Sequence, residues 1–315
     1  MSKKNILKPI LKWVGGKTQI LDIILEDFPK EIDNYHEIFI GGGSVLIGLL
    51  QEIKNKKIKV NGIINAYDIN EPLIFVYKNI QNNHNELYNK IQELIIEFNN
   101  ITGEIINRTP INLTEALSSK ESYYYWIRKS YNKLNNEEKK SILGSSFFLF
   151  LNKTCFRGLF RVGPNGFNVP YGHYNNPEII NKLHLDEIHL LIKDVIFECC
   201  DYKLVLNKIN NNYSKNDFIY TDPPYAPENE KSFVKYSEHG FNENEHLKLF
   251  EICNTLNNNT LNNNKIKLMM SNSDVKLVRD NFKLDKFNLK SILCKRSINS
   301  KNPESKTNEV IIKNY

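Results

Sequence analysis

The run Asp217-Phe218-Ile219-Tyr220-Thr221, followed at once by Asp222-Pro223-Pro224-Tyr225, constrains this chain more than any other stretch. The first five residues read as a short buried strand. The two prolines forbid its continuation, because neither offers an N–H to a sheet ladder and each pushes the residue before it toward extended backbone. The strand must therefore end in a stiff loop that carries one carboxylate, one aromatic ring and the carbonyls of Asp222 and Pro223. Such a set suits an amino group on a planar base: the Asp222 side chain and the Pro223 carbonyl each accept one N–H, and Tyr225 stacks on the ring. The lesser alternative for the tetrapeptide alone is a plain turn after a strand with a capping Asp.

A nucleotide-binding pattern precedes it. Residues 36–43 (HEIFIGGG) and the following SVLIGLLQEIK read as strand, glycine turn and amphipathic helix, in which backbone without Cβ lets a ligand approach the helix N-terminus. The spacing is not that of a dinucleotide fingerprint. A second strand, Ile63 to Tyr67, ends at Asp68, where a carboxylate in such sheets meets a ribose diol. Residues 11–20 (LKWVGGKTQI) end like a phosphate loop, but that motif needs a glycine where Leu11 stands. What remains is a Gly15-Gly16 turn flanked by Trp13 and Lys17, a ring and an ammonium able to hold a zwitterion.

Between residues 71 and 150 the pattern becomes helical. Leu87, Ile91, Leu94, Ile95 and Phe98 share one helix face, and ESYYYWIRKSYNKL at 121–134 predicts another helix with an aromatic core face. Residues 146–174 carry a Gly-Pro-Asn-Gly centre and read as a hairpin or loop with interleaved basic and aromatic residues. Arg157 and Arg161, four apart, would share one face of a strand and suit a DNA groove. Strands resume at 195–198, 217–221 and 266–271, and two final strands at 286–298 and 308–314 are expected to pair antiparallel. The asparagine clusters at 81–85, 210–212 and 257–264 read as loop padding.

Charge and cysteines narrow the class. Over 315 residues the net charge is +6, compatible with an acidic polymer as partner, and its placement says more than its size. Residues 1–17 hold five lysines and no acid, and residues 152–177 hold Lys153, Arg157 and Arg161 and no acid. Five cysteines without CxxC spacing suggest neither a zinc site nor a disulfide framework, and a reducing, cytoplasmic setting is expected. No signal peptide is apparent, and no apolar run approaches the roughly 18 residues of a membrane span.

KWVGGK, FIGGG, YDIN, CFRGLFR with GFNVPYGHY, YTDPPYAP, MMSNS, and KRSINS with NEVIIKNY follow one another from Lys12 to the C-terminus. In this order they make the chain resemble the Dam-type N6-adenine DNA methyltransferases. The resemblance implies a mixed seven-stranded, Rossmann-like methyltransferase sheet, with residues 1–70 and 179–315 as the catalytic domain. It also implies an inserted, mostly helical target-recognition domain at 71–178 with a basic hairpin at 152–174. S-adenosyl-L-methionine is the implied cofactor, no metal is implied, and double-stranded DNA is the implied substrate. A separately encoded restriction endonuclease is a conceivable partner.

Carried onto matching positions, Trp13, Lys17, Asp68 and Asp222 would contact the cofactor, with Phe39, Gly41 and Gly43 shaping its pocket and Asp201 reaching its adenine. Asp222, Pro223 and Tyr225 would be catalytic. Lys12, Arg157, Arg161, Asn168, Pro170 and Tyr174 would contact DNA. Many relatives that read GATC have Asn where Arg157 stands, which leaves the recognised sequence open. The target base must leave the duplex to react, and Phe233 and Tyr236 are candidates to close over it. Asp at position 222, rather than Ser or Asn, favours adenine over cytosine N4. The competing class is a DNA-binding protein that keeps the fold without activity.

Overall fold

A computed structural model describes residues 7–227, 241–259, 265–295 and 306–315. The chain divides into two compact units: Lys17–Ile40, Ser44–Ile69 and Val195–Tyr315 form one, and Met1–Gly16, Gly41–Gly43 and Asn70–Asp194 form the other.

The first unit is built on a seven-stranded sheet. In chain order its strands are β2 (Tyr35–Glu37), β4 (Ile64–Asp68), β7 (Ile196–Cys199), β8 (Phe218–Thr221), β9 (Lys267–Ser273), β10 (Asn288–Lys295) and β11 (Lys306–Lys313). Their spatial order is β10-β11-β9-β8-β2-β4-β7. The five strands from β9 to β7 run parallel, and β11 and β10 complete the sheet antiparallel. β8 is buried along its whole length, as expected for a central parallel strand covered on both faces. A minor parallel pair joins β1 (Glu31–Ile32) to β3 (Lys59–Val60).

The connecting helices are α1 (Leu21–Glu26), α2 (Ser44–Lys54), α9 (Tyr202–Asn211), α10 (Glu243–Asn258) and α11 (Lys276–Asn281). Val205, Leu206 and Ile209 of α9 and Leu249, Phe250 and Leu256 of α10 pack with Ile219, Leu268, Met270, Val310 and Ile312 in one buried cluster. The expected final pair is present, with Ser291 opposite Val310.

The second unit is helical: α3 (Glu71–Asn100), α4 (Leu113–Ala116), α5 (Lys120–Lys133), α6 (Asn136–Lys140), α7 (Ile142–Thr154) and α8 (Lys182–Ile192). The Asn70 side chain accepts from Leu73 N to cap α3, and Leu87, Ile91, Leu94 and Phe98 are buried on the face that their spacing predicts. The asparagines at 81–85 are not a loop: they lie inside α3, which kinks at Asn83 (φ −140°). The tyrosines of α5 are core, as Tyr123 and Tyr124 have no exposed surface.

The expected boundary at 178 differs from the observed one, which falls at Asp194. Leu185, Ile188 and Ile192 of α8 are buried, and Gln81 Nε2 donates to the carbonyls of Ile192 and Lys193 at 2.9 Å each, so α8 packs on α3. The helical unit also takes in the first sixteen residues and the glycine turn.

The basic hairpin is also shorter than expected. α7 runs to Thr154, a 3-10 turn covers Phe156–Gly158, and β5 (Val162–Gly163) and β6 (Gly166–Phe167) pair around Pro164-Asn165, with a single antiparallel bridge between Cys155 and Tyr171 beyond them. Arg157 therefore sits in the turn at φ +57°, Arg161 precedes β5, and the two do not share a strand face. Among the described residues no helix is long and apolar enough to cross a membrane.

Candidate active site

In the sheet unit, four neighbouring parallel strands deliver the chemistry-bearing side chains at their C-terminal ends, where open α/β sheets bind ligands. Asp222 follows β8, Glu37 ends β2 with Phe39 just beyond, Asp68 ends β4, and Asp201 lies just past β7. Parallel pairing brings these sequence-distant residues to one edge, since β8, β2, β4 and β7 are successive in the sheet.

Asp222 is the centre. Its Oδ2 lies 2.7 Å from Lys17 Nζ, and the Lys17 side chain is 3% exposed. Its Oδ1 is buried and has no hydrogen-bond partner among the described residues, as is the neighbouring Thr221 Oγ1. Burial pushes the Asp222 carboxyl up to about 6, Lys17 pulls it back, and Glu309 raises it further. The same Lys17 ammonium stands 4.6 Å from the centroid of the Tyr225 ring. The Tyr225 hydroxyl donates to Glu309 Oε2 at 2.8 Å, and burial, then Asp222 and Glu309, hold that phenol well above its ordinary range.

The end of the loop is fastened from β9. Ala226 N donates to Asn272 Oδ1 at 3.0 Å, and Ser273 Oγ donates to the Ala226 carbonyl. Pro223 is buried, Pro224 exposed and Tyr225 half-buried.

Glu37 is a buried acid that the motif reading missed. It is 2% exposed and accepts from the Tyr35 hydroxyl at 2.7 Å. Burial pushes its carboxyl up to about 8, the Tyr35 bond lowers it, and the nearby Asp222 charge raises it. A charged residue type inside the apolar run YHEIFI was the available signal.

The remaining candidates of this unit have structural duties as well. The Asp68 carbonyl accepts from Cys200 N at 3.1 Å, which ties the ends of β4 and β7 together. Asp201 Oδ1 caps α9 by accepting from Lys203 N at 2.8 Å. Half-buried Phe39 packs on Tyr202 and Phe241, with ring centroids 5.5 Å and 5.8 Å away. An aromatic face flanked by carboxylates along the sheet edge fits an adenosyl group.

In the helical unit, Trp13 lies against the glycine turn. A Cβ on Gly41 (φ +47°) would stand 2.7 Å from Trp13 Cδ1, and one on Gly43 (φ +73°) would stand 2.7 Å from the Tyr77 hydroxyl. That hydroxyl donates to the Gly41 carbonyl at 2.8 Å. Both positions therefore require glycine, for backbone conformation and for space.

Two small clusters carry the expected DNA residues. Lys12 Nζ lies 4.1 Å from the centroid of the Tyr174 ring, and the Tyr174 hydroxyl accepts from Arg157 N at 2.8 Å. Arg161 donates from Nε to Asn168 Oδ1 at 2.6 Å and from Nη2 to the Asn168 carbonyl at 3.3 Å. The Pro170 carbonyl accepts from Phe156 N at 2.8 Å, which holds the 3-10 turn.

Buried Asn152, which motif reading passed over, holds the Lys12 backbone at both ends. Its Oδ1 accepts from Lys12 N at 2.9 Å, and its Nδ2 donates to the Lys12 carbonyl at 2.8 Å. Burial and then Lys12 pull the Lys153 ammonium down to about 8, so the two cations share one patch. Phe233 and Tyr236 lie outside the described residues. Among the described residues no group of His, Cys, Asp and Glu could hold a metal.

The sequence matches the D12 class N6 adenine-specific DNA methyltransferase family over residues 13–298. It is 36% identical to the type II methyltransferase M.MjaIII of Methanocaldococcus jannaschii, over 98% of this chain and 99% of that protein. It is 28% identical to the type II methyltransferase M1.LlaDCHI of Lactococcus lactis subsp. cremoris, over 98% of this chain and 96% of the relative. It is 29% identical to the DNA adenine methylase of Haemophilus influenzae, over 95% of this chain and 90% of the relative.

Proposed function

We propose, since this chain belongs to the D12 class N6 adenine-specific DNA methyltransferases and methylates adenine in DNA, that Asp222 is the side chain that receives the adenine amine. One observation carries this reading. Asp222 Oδ1 is a buried acceptor without a hydrogen-bond partner among the described residues, while Lys17 holds the other oxygen.

The exocyclic nitrogen of adenine is a poor nucleophile because its lone pair is delocalised into the ring. Acceptors at Asp222 Oδ1 and the Pro223 carbonyl draw on its two N–H bonds and favour a tetrahedral nitrogen. This is catalysis by positioning and electrostatic stabilisation, and it asks nothing of the cysteines. The Lys17 ammonium lies over one face of Tyr225, so a flipped base stacks on the other.

S-adenosyl-L-methionine is the methyl donor in this reading, and supplies a methyl group on a sulfonium. Phe39, Asp68 and Asp201 would hold its adenosyl part, with Lys17 of the same unit contributing as the family pattern suggests. The helical unit serves target recognition through Lys12, Arg157, Arg161, Asn168, Pro170 and Tyr174. The target nitrogen lies inside the duplex, so the base is flipped out before transfer. A separately encoded restriction endonuclease is consistent with the type II names of two relatives. A reducing, DNA-containing compartment such as the cytoplasm is consistent with five cysteines that form no disulfide.

The test is methyl transfer from labelled S-adenosyl-L-methionine to plasmid DNA by wild type and Asp222→Ala. Loss of the acceptor should cost on the order of 10²–10³ in rate or more. Near-wild-type turnover by a folded Asp222→Ala protein would end the reading. Calorimetry on Asp68→Ala should show cofactor affinity falling more than DNA affinity; an equal change in both removes Asp68 from the cofactor site.

A further inference from the structure

We propose that Glu309, on β11, is a positioning residue for methyl transfer: it anchors the Tyr225 ring through the phenol and sets the charge balance beside Asp222. This rests on the reading of Asp222 as the amine acceptor.

Tyr225 is held at two points that its own loop does not provide. Its hydroxyl donates to Glu309 Oε2 at 2.8 Å, and the Lys17 ammonium lies 4.6 Å from its ring centroid. The strand that presents Glu309 is well supported. β11 is paired on both sides, with Glu309 opposite Ser273 of β9 and Ile292 of β10. That Ser273 is the residue whose hydroxyl reaches the Ala226 carbonyl. The catalytic loop is therefore fastened at its exit by β9 and at its ring tip by β11. A ring that only had to stack would need no hydroxyl. A phenol bonded to a different strand fixes the plane and height of the ring, and so the depth at which a base can lie against it.

The same carboxylate acts on Asp222 through space. Lys17 from the turn before α1 and Glu309 of β11 act on Asp222, whose own charge raises Glu37 of β2, Tyr220 of β8 and Tyr225 of its own loop, and Cys294 of β10 stands beside Glu309. Lys17 favours the ionised carboxylate and Glu309 opposes it. Glu309 thus offsets part of the Lys17 effect, and keeps Asp222 a better proton acceptor than a simple Lys–Asp pair.

The experiment compares wild type with Glu309→Gln, Glu309→Ala, Tyr225→Phe and the Ala/Phe double variant, all checked for folding by thermal melting. kcat and KM for DNA are measured from pH 5 to 9. Glu309→Gln keeps an acceptor for the phenol but loses the charge. Its plateau kcat should stay near wild type while the acid limb of the pH profile moves to lower pH. Glu309→Ala and Tyr225→Phe break the same hydrogen bond. Each should lower plateau kcat, by up to about 10²-fold for a misplacement near 1 Å. The double variant should lose little more than the worse single one.

An unmoved acid limb in Glu309→Gln overturns the proposal, as does independent multiplication of the Ala and Phe effects. Because Asp222→Ala is assayed alongside, the two readings fail separately. An active Asp222→Ala protein ends the acceptor assignment, whereas silent Glu309 variants with an inactive Asp222→Ala end only this proposal.

Discussion

Lys17 Nζ stands 2.7 Å from Asp222 Oδ2, and the other oxygen of that carboxylate is buried with no described partner. The lysine thereby orients the carboxylate and keeps it ionised in a site whose burial favours the acid.

The pH dependence of turnover follows. The Asp222 carboxyl is raised to about 6, so falling pH protonates it, removes the acceptor and breaks the pair with Lys17. kcat/KM, which reports the free enzyme, should fall tenfold per pH unit below about 6. Lys17→Met removes the group that lowers this carboxyl, and its acid limb should move to higher pH. A limb that stays in place in Lys17→Met would separate Asp222 from the observed ionisation.

Glu37 should make the protein less stable as pH rises. Its carboxyl ionises at about 8 in the folded protein against an ordinary value of 4.5. Between those values the folded state keeps a proton that the unfolded state has lost, so stability declines with pH across that window. Glu37→Gln has no such proton. Its melting temperature relative to wild type should rise steadily from pH 5 to pH 8, and a constant difference would show that Glu37 is already ionised at neutral pH.

Arg157 occupies left-handed backbone at φ +57°, which asparagine tolerates better than arginine. Arg157→Asn should therefore raise stability by up to about 1 kcal/mol. If the guanidinium binds phosphate, the variant should also reduce the salt slope of DNA binding by about 1. Denaturant melts and a salt titration read the two effects separately. A changed preferred site instead would mean that Arg157 reads a base.

Arg161 is held by Asn168 through two hydrogen bonds. If it reads a guanine, Arg161→Ala should cost about 1–3 kcal/mol at one base pair and relax specificity there. Asn168→Ala, which removes the side-chain bond and leaves the one to the backbone carbonyl, should relax the same position more weakly. The measurement is a methylation profile over randomised DNA at fixed salt; an even loss at every position in Arg161→Ala would remove the hairpin from sequence reading.

Local chemistry was enough to read much of this protein from its chain. Two prolines after an apolar run end β8 wherever it packs, and the helical spacing of Leu87, Ile91, Leu94 and Phe98 marks a buried face. Asp222, Asp68 and the glycine turn stand out because their residue types are costly or unusual where they occur. The antiparallel end of the sheet was readable from two strand-like runs around a polar loop.

Other features depend on residues far apart in sequence, and only packing decides them. Asn83 sits in a polar run that reads as loop, yet α3 passes through it because α7 and α8 cover the helix on either side of the kink. Arg157 and Arg161 have strand spacing, but neither lies in a strand: the 3-10 turn held by the Pro170 carbonyl takes Arg157, and Arg161 stands just before β5. Glu309 is an ordinary acid in a β-run until antiparallel pairing on β9 brings it to the Tyr225 hydroxyl, 84 positions away. A carboxylate's role depends on what it faces, and in a sheet that is set by strand order and register, which no local pattern encodes.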